Sequence, residues 1–129
     1  MKTEIFTLCH SAINENGKLS ILSAFDHINA KSAPVTYPMC AIAMRIRFDK
    51  IEEGTKTIRL AFVDADGKSV MPTIDTQAIV QFPPDEQSST LNLVVVSQQL
   101  TLPNFGEYAI DLAVDGRSEM SIPLYVKQV

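Results

Sequence analysis

The stretch Leu102-Pro103-Asn104-Phe105-Gly106-Glu107-Tyr108-Ala109-Ile110-Asp111-Leu112-Ala113-Val114-Asp115-Gly116 constrains the fold more than any other part of the chain. Tyr108, Ile110, Leu112 and Val114 alternate with Ala109, Asp111 and Ala113, the period of two expected of a half-buried strand. Asp115-Gly116 then supplies the positive φ that a tight hairpin needs. A final strand is therefore expected from Ser118 to Val126.

The same reading extends upstream. Glu4 to Ala12 predicts a first strand with Phe6 and Leu8 on one face and Ile5, Thr7 and Cys9 on the other, closed by Asn14-Glu15-Asn16-Gly17. Lys18 to Phe25 returns with Leu19, Ile21 and Phe25 toward the core, while Leu22 breaks the polarity of the outer side. From Asp26 to Pro38 the prolines interrupt any regular ladder, because each lacks an amide donor, and a crossover loop is expected. Met39 to Phe48 places Cys40, Ile42, Met44, Ile46 and Phe48 on one face, which marks a central strand. Lys56 to Asp64 turns Ile58, Leu60 and Phe62 inward, and Asp64-Ala65-Asp66-Gly67 closes another hairpin. Ser69 to Met71 and Thr76 to Phe82 predict a short and a longer strand, with Asp85 to Thr90 as an exposed tip. Leu91 to Ser97 is apolar nearly throughout, as a strand covered on both faces would be.

Eight or nine strands with closely spaced turn signals, and no persuasive helical stripe, predict an all-β protein. The expected architecture is a single-domain, two-sheet antiparallel β-sandwich over residues 1–129, with a barrel as the alternative. A chain of 129 residues buries roughly two-thirds of its unfolded surface, so no disulfide staple is required.

Composition narrows the function classes. A net charge of -4 disfavours nucleic acid, whose phosphates call for clustered Lys and Arg. The longest apolar run, Leu93-Val94-Val95-Val96, is far too short to span a membrane as a helix. Met1-Lys2-Thr3-Glu4 leads into no continuous apolar segment, which argues against a secretory leader and for a cytoplasmic location. Cys9 and Cys40 read as small buried hydrophobes, and with only His10 beside Cys9 no metal site is expected.

No catalytic residue and no cofactor is expected. His10 and His27 lack a nucleophile context, and the carboxylates sit chiefly in turns. Asp64-Ala65-Asp66-Gly67 is a fragment of a calcium-loop pattern without the third acid or the closing Glu, so it reads as a turn.

Leu102-Pro103 and Gly106, two residues before Tyr108, resemble the tyrosine corner of immunoglobulin-like sandwiches. That resemblance implies an immunoglobulin-like strand order, with the Tyr108 strand beside the Met39 strand. The outward residues would then merge into one flat patch: Ala41, Ala43, Arg45, Arg47, Arg59, Ala61, Val63, Ala109, Asp111 and Ala113. Arginine suits planar contacts at interfaces, so the patch is expected to bind a second copy, giving a homodimer, or a protein partner. Otherwise Arg45 or Arg59 would pair with Asp111 on an exposed face, each pair stabilising by a few tenths to about one kcal/mol. An alternative small-ligand site, for sugar or peptide, would use Tyr37, Phe82 and Phe105 at one rim.

The run from Phe6 to Ala12 and the run Asn16-Gly17-Lys18-Leu19-Ser20-Ile21-Leu22-Ser23-Ala24-Phe25-Asp26-His27-Ile28 resemble an uncharacterised family of short bacterial proteins. Met44-Arg45-Ile46-Arg47-Phe48, Val63-Asp64-Ala65-Asp66-Gly67 and Gly106-Glu107-Tyr108 fit the same outline. The resemblance implies a bacterial, intracellular β-sandwich and carries no activity or cofactor.

Overall fold

In the computed structural model, which describes residues Met1–Val129, nine strands follow one another with one 3₁₀ turn and no α-helix. In chain order they are β1 (Lys2–Glu15), β2 (Lys18–Ala24), β3 (His27–Ala30), β4 (Val35–Asp49), β5 (Gly54–Asp64), β6 (Ile74–Val80), β7 (Ser88–Leu102), β8 (Gly106–Val114) and β9 (Arg117–Gln128). They form a four-stranded sheet, β2-β1-β4-β7, and a five-stranded sheet, β3-β9-β8-β5-β6. No helix is long and apolar enough to cross a membrane.

The period-two faces decide how the sheets meet. Cys40, Ile42, Met44, Ile46 and Phe48 of β4 face Ile58, Leu60 and Phe62 of β5 and Tyr108, Ile110, Leu112 and Val114 of β8 in one buried cluster. Phe6 and Leu8 join it from β1, and Leu124 and Val126 from β9. Fully burying an aliphatic or aromatic side chain of this size contributes about 1.5–3 kcal/mol. Both two-residue turns have the chemistry their sequences demand: Asn16 and Gly17 have φ of 52° and 76°, Asp115 and Gly116 φ of 50° and 80°.

The passage from β7 in one sheet to β8 in the other is fastened by Tyr108. Its hydroxyl donates to the Asn104 carbonyl at 2.8 Å and accepts from the Asn104 amide at 3.1 Å, a tyrosine corner.

Several segments depart from the sequence expectation, among them Ser88–Thr90, which open β7 half-buried and are not part of an exposed tip, and Val35–Pro38, which open β4. The presumed crossover loop contains β3, which pairs in parallel with Tyr125–Gln128 of β9, so the larger sheet is not wholly antiparallel. Four residues are too few to display a period, and what makes β3 a strand is its ladder to β9, with Ile28 buried in the core. Ser69 makes an isolated bridge to Val63 and no strand of its own. The apolar run in β7 lies on an edge strand, where Leu91, Leu93 and Val95 are half-buried and Val96 is 56% exposed.

β1 changes partner along its length. Lys2–Cys9 pair with β4, while Cys9–Glu15 pair with β2. Beyond Cys9 the β1–β2 hairpin leaves the sheet and folds across its outer face. Its tip thereby reaches β7, two strands away, where Asn92 Nδ2 donates to Asn14 Oδ1 at 3.3 Å and to the Gly17 carbonyl at 3.0 Å. Beneath this roof lie Cys9, Ala41 and Ala43, packed by Ala12, Leu19, Ile21 and Val94 as a second small core. Leu19 and Ile21 thus point at the back of the sheet and not into the principal core. Methyl side chains at positions 41 and 43 let the hairpin come close.

Two variants check this account. Ala43→Leu overfills the space under the hairpin, so urea unfolding should show a loss of about 1–3 kcal/mol and trypsin should cut faster after Lys18. Tyr108→Phe leaves both Asn104 main-chain groups without their partner in a partly buried corner, with an expected loss of about 1–3 kcal/mol.

Candidate functional site

The ten residues expected to form one flat patch lie on two separate surfaces. β4 belongs to the four-stranded sheet and β5 and β8 to the other, so their outward side chains face away from each other across the whole molecule. The patch fails as a single plane because β4 neighbours β1 and β7, not β8.

On the four-stranded sheet, Ala41 and Ala43 are 2% and 0% exposed under the hairpin and unavailable to any partner. Arg45 and Arg47 lie farther along the same face, held by one carboxylate. Arg45 Nε donates to Glu4 Oε1 at 3.0 Å and Arg47 Nε to Glu4 Oε2 at 2.7 Å. The register between β1 and β4 shifts from Thr3 to Ile5, which makes Glu4 the extra residue of a β-bulge. A bulge re-aims a side chain, here toward the two guanidinium groups. Arg45 Nη1 also donates to Asn92 Oδ1 at 3.1 Å, and Arg47 Nη1 to Ser88 Oγ at 3.0 Å. One network therefore runs from Glu4 through Arg45 to Asn92 and the hairpin tip, joining β1, β4, β7 and the turn before β2. The sequence reading missed Glu4 because a bulge leaves no signature in alternation.

The five-stranded sheet carries the other six residues on its outward face. Ala61 pairs with Asp111 and Val63 with Ala109 directly across β5 and β8, while Arg59 lies opposite Ala113. Ala61, Val63, Ala109, Asp111 and Ala113 are all half-buried, and no second core forms above them. The expected pairing with Asp111 is absent on both sides. Arg59 makes a two-pronged contact with Asp75 of β6, at 2.7 and 3.2 Å, because Asp75 sits directly opposite it in the β5–β6 ladder. Asp111 accepts from the Ser121 hydroxyl at 2.6 Å. The middle of this face is a strip of small apolar side chains with one carboxylate, and its only ion pair lies at the β6 rim.

The aromatic rim does not assemble. Tyr37, near the start of β4, stacks on Phe25 with ring centroids 5.3 Å apart. Phe105 lies at that same end, in a shallow cleft beside Asp64 and Asp66. Phe82 is at the other end, under Lys50 and with its amide donating to Glu53. β4 separates the two ends by about 40 Å of extended chain at the usual rise per residue. All three rings pack against the principal core, each closing an end of it.

The remaining chemistry is occupied locally. Asp64 Oδ1 accepts from the amides of Asp66 and Lys68, so its carboxylate builds the turn. His27 Nδ1 meets Asp26 Oδ1 at 3.0 Å on an exposed edge. Cys40 lies in the principal core, where burial pushes its thiol up to about 11, and Cys9 under the hairpin donates to the Ala41 carbonyl at 3.4 Å. A cleft of about 370 Å³ between Phe48 and Val114 is lined by two ion pairs, the Met1 amine with Glu52 and Lys56 with Asp115, together with Arg117 and Glu119.

The Arg47 hydrogen bond, aided by Arg45, holds the Glu4 carboxyl below its ordinary 4.5. A carboxylate whose pKa is lowered by folding stabilises the fold above its unfolded value, and that stabilisation is lost as pH falls through the lowered folded value. Glu4→Gln should therefore melt below the parent protein at pH 7, with the gap closing progressively as pH drops under 4.5. A gap that stays constant across this range would remove Glu4 from the account.

Among curated proteins, none matches the chain. Residues 4–127 match the family described as Family of unknown function (DUF6941), nearly the whole length of the fold from Glu4 in β1 through the tyrosine corner, and the chain belongs to that family.

Proposed function

We propose that the protein is a noncatalytic interaction module of immunoglobulin-like architecture that docks a protein partner on the outward face of its five-stranded sheet. The division of strands supports the architecture. β1, β4 and β7 stand on one sheet and β5, β8 and β9 on the other, with the tyrosine corner leading β8, as A, B and E stand opposite C, F and G in immunoglobulin-like sandwiches. Free, buried Cys9 and Cys40 thiols support a cytoplasmic setting.

One observation carries the binding surface. Both sheets place small apolar residues on their outward faces, and on the four-stranded sheet these admit a hairpin bearing Leu19 and Ile21. The matching strip on the other sheet, Ala61, Val63, Ala109 and Ala113, has no such cover from its own chain. The partner that fits is an extended or hairpin segment with aliphatic side chains, packing there as Leu19 and Ile21 pack on Ala41 and Ala43. A donor near its centre would complement Asp111, whose second oxygen is free of hydrogen bonds within the chain.

A photo-crosslinking amino acid at Ala109, introduced in host cells, should give a discrete adduct that Ala61→Arg abolishes. An adduct pattern no different from that of the same probe at exposed Asp85 would sink this reading.

A further inference from the structure

We propose that two copies of this chain pair through β7, strand against strand and antiparallel about a two-fold axis at Val94, joining the two four-stranded sheets into one of eight. This surface is separate from the sheet face assigned above. It is an edge, and what recommends it is how poorly the chain guards it.

An edge strand presents a row of unsatisfied amides and carbonyls, and natural sheets protect such rows with shortness, charge, proline or bulges. Three of the four edges here are protected. β3 has four residues, β2 has seven and opens on Lys18, and β6 has seven with the Arg59–Asp75 ion pair at its flank. β7 is different. It runs for 15 residues, Ser88–Leu102, without a charged residue, a proline or a glycine. Its first irregularity is Gln99, with a φ of 57°, so Thr90 to Gln98 is an uninterrupted ladder. None of the main-chain hydrogen bonds outside regular pairing reaches this segment.

The occupant follows from symmetry and charge. A two-fold antiparallel pair sets the residue on the axis against its own copy and puts the two copies of each adjacent residue on a diagonal, so any charge near the axis would lie close to a like charge. β7 has none, whereas the chain as a whole carries -4. With the axis at Val94, Leu93 falls opposite Val95 of the second copy and Asn92 opposite Val96. The straight segment from Thr90 to Gln98 is used completely. The half-buried Leu93 and Val95 would each gain a directly opposed apolar neighbour, and Val96, 56% exposed in one copy, would gain Val94 of the second copy on its diagonal. A charged or proline-rich partner has no complement on this edge.

Light scattering on the full chain across micromolar to millimolar concentrations, with hydrogen exchange on the same samples, tests the pairing. The expected mass approaches twice 14.2 kDa, and amides between Leu91 and Ser97 gain protection as dimer forms. Val96→Lys, at an exposed position that leaves the core untouched, should return the mass to 14.2 kDa with an unchanged circular dichroism spectrum. A monomer at every concentration overturns the proposal. So does a dimer that protects no β7 amide or ignores Val96→Lys. Ala61→Arg should leave this dimer intact, so failure here is distinguishable from failure of the sheet-face reading.

Discussion

The structure depends on one packing constraint: the inward face of β4 must meet the inward faces of β5 and β8. Ile42, Met44 and Ile46 on one side and Leu60, Phe62, Ile110 and Leu112 on the other are almost completely buried, and each is fixed to its face by a period of two. A slip of one residue in any of these strands would turn its aliphatics to the surface and its arginines or Asp111 inward. The tyrosine corner serves the same constraint at one end of the two sheets. It pins the segment that carries the chain from one sheet to the other, so β8 begins in register with its neighbours.

The second constraint is geometric and belongs to β1. A strand of fourteen residues serves two partners, β4 with its first half and β2 with its second, and the hairpin beyond Cys9 lies on the back of the sheet that its own beginning helps to form. That arrangement accounts for residue choices that otherwise look unrelated. Ala41 and Ala43 are small because a hairpin crosses above them, Cys9 is buried on the side of its strand away from the principal core, and Asn92 is polar within an apolar strand because it receives the hairpin tip. The Glu4 bulge extends the same fastening to Arg45 and Arg47.

Surface chemistry is correspondingly uneven. Some ionic groups form pairs that tie neighbouring strands, such as Arg59 with Asp75, and pairs this exposed to solvent are weakened by screening. Two uncharged surfaces also remain open: the small apolar strip on the five-stranded sheet and the free edge of β7. Extended protein partners are the ones proposed for these surfaces, because a small polar ligand needs a concave site with convergent polar groups. The aromatic side chains that would have formed such a site are divided between the two ends of the molecule and fill the core there.

The sequence by itself determined the longer strands and the faces of β4, β5 and β8 that line the principal core, because alternation and the turn pairs Asn16-Gly17 and Asp115-Gly116 are local properties written within a few residues. It also marked the tyrosine corner, whose hydrogen bonds span only four positions. What only the tertiary structure decided is which strands become neighbours. Alternation says which side chains share a face but not which sheet the face belongs to, so the Ala/Arg positions of β4 and those of β5 and β8 read alike while lying on opposite surfaces. β3 escaped for want of length, and the Glu4 bulge because one inserted residue erases the period it interrupts. The roof over Ala41 and Ala43 stayed hidden because an alanine facing water and an alanine beneath a hairpin have the same local pattern, and contact between residues far apart in the chain distinguishes them.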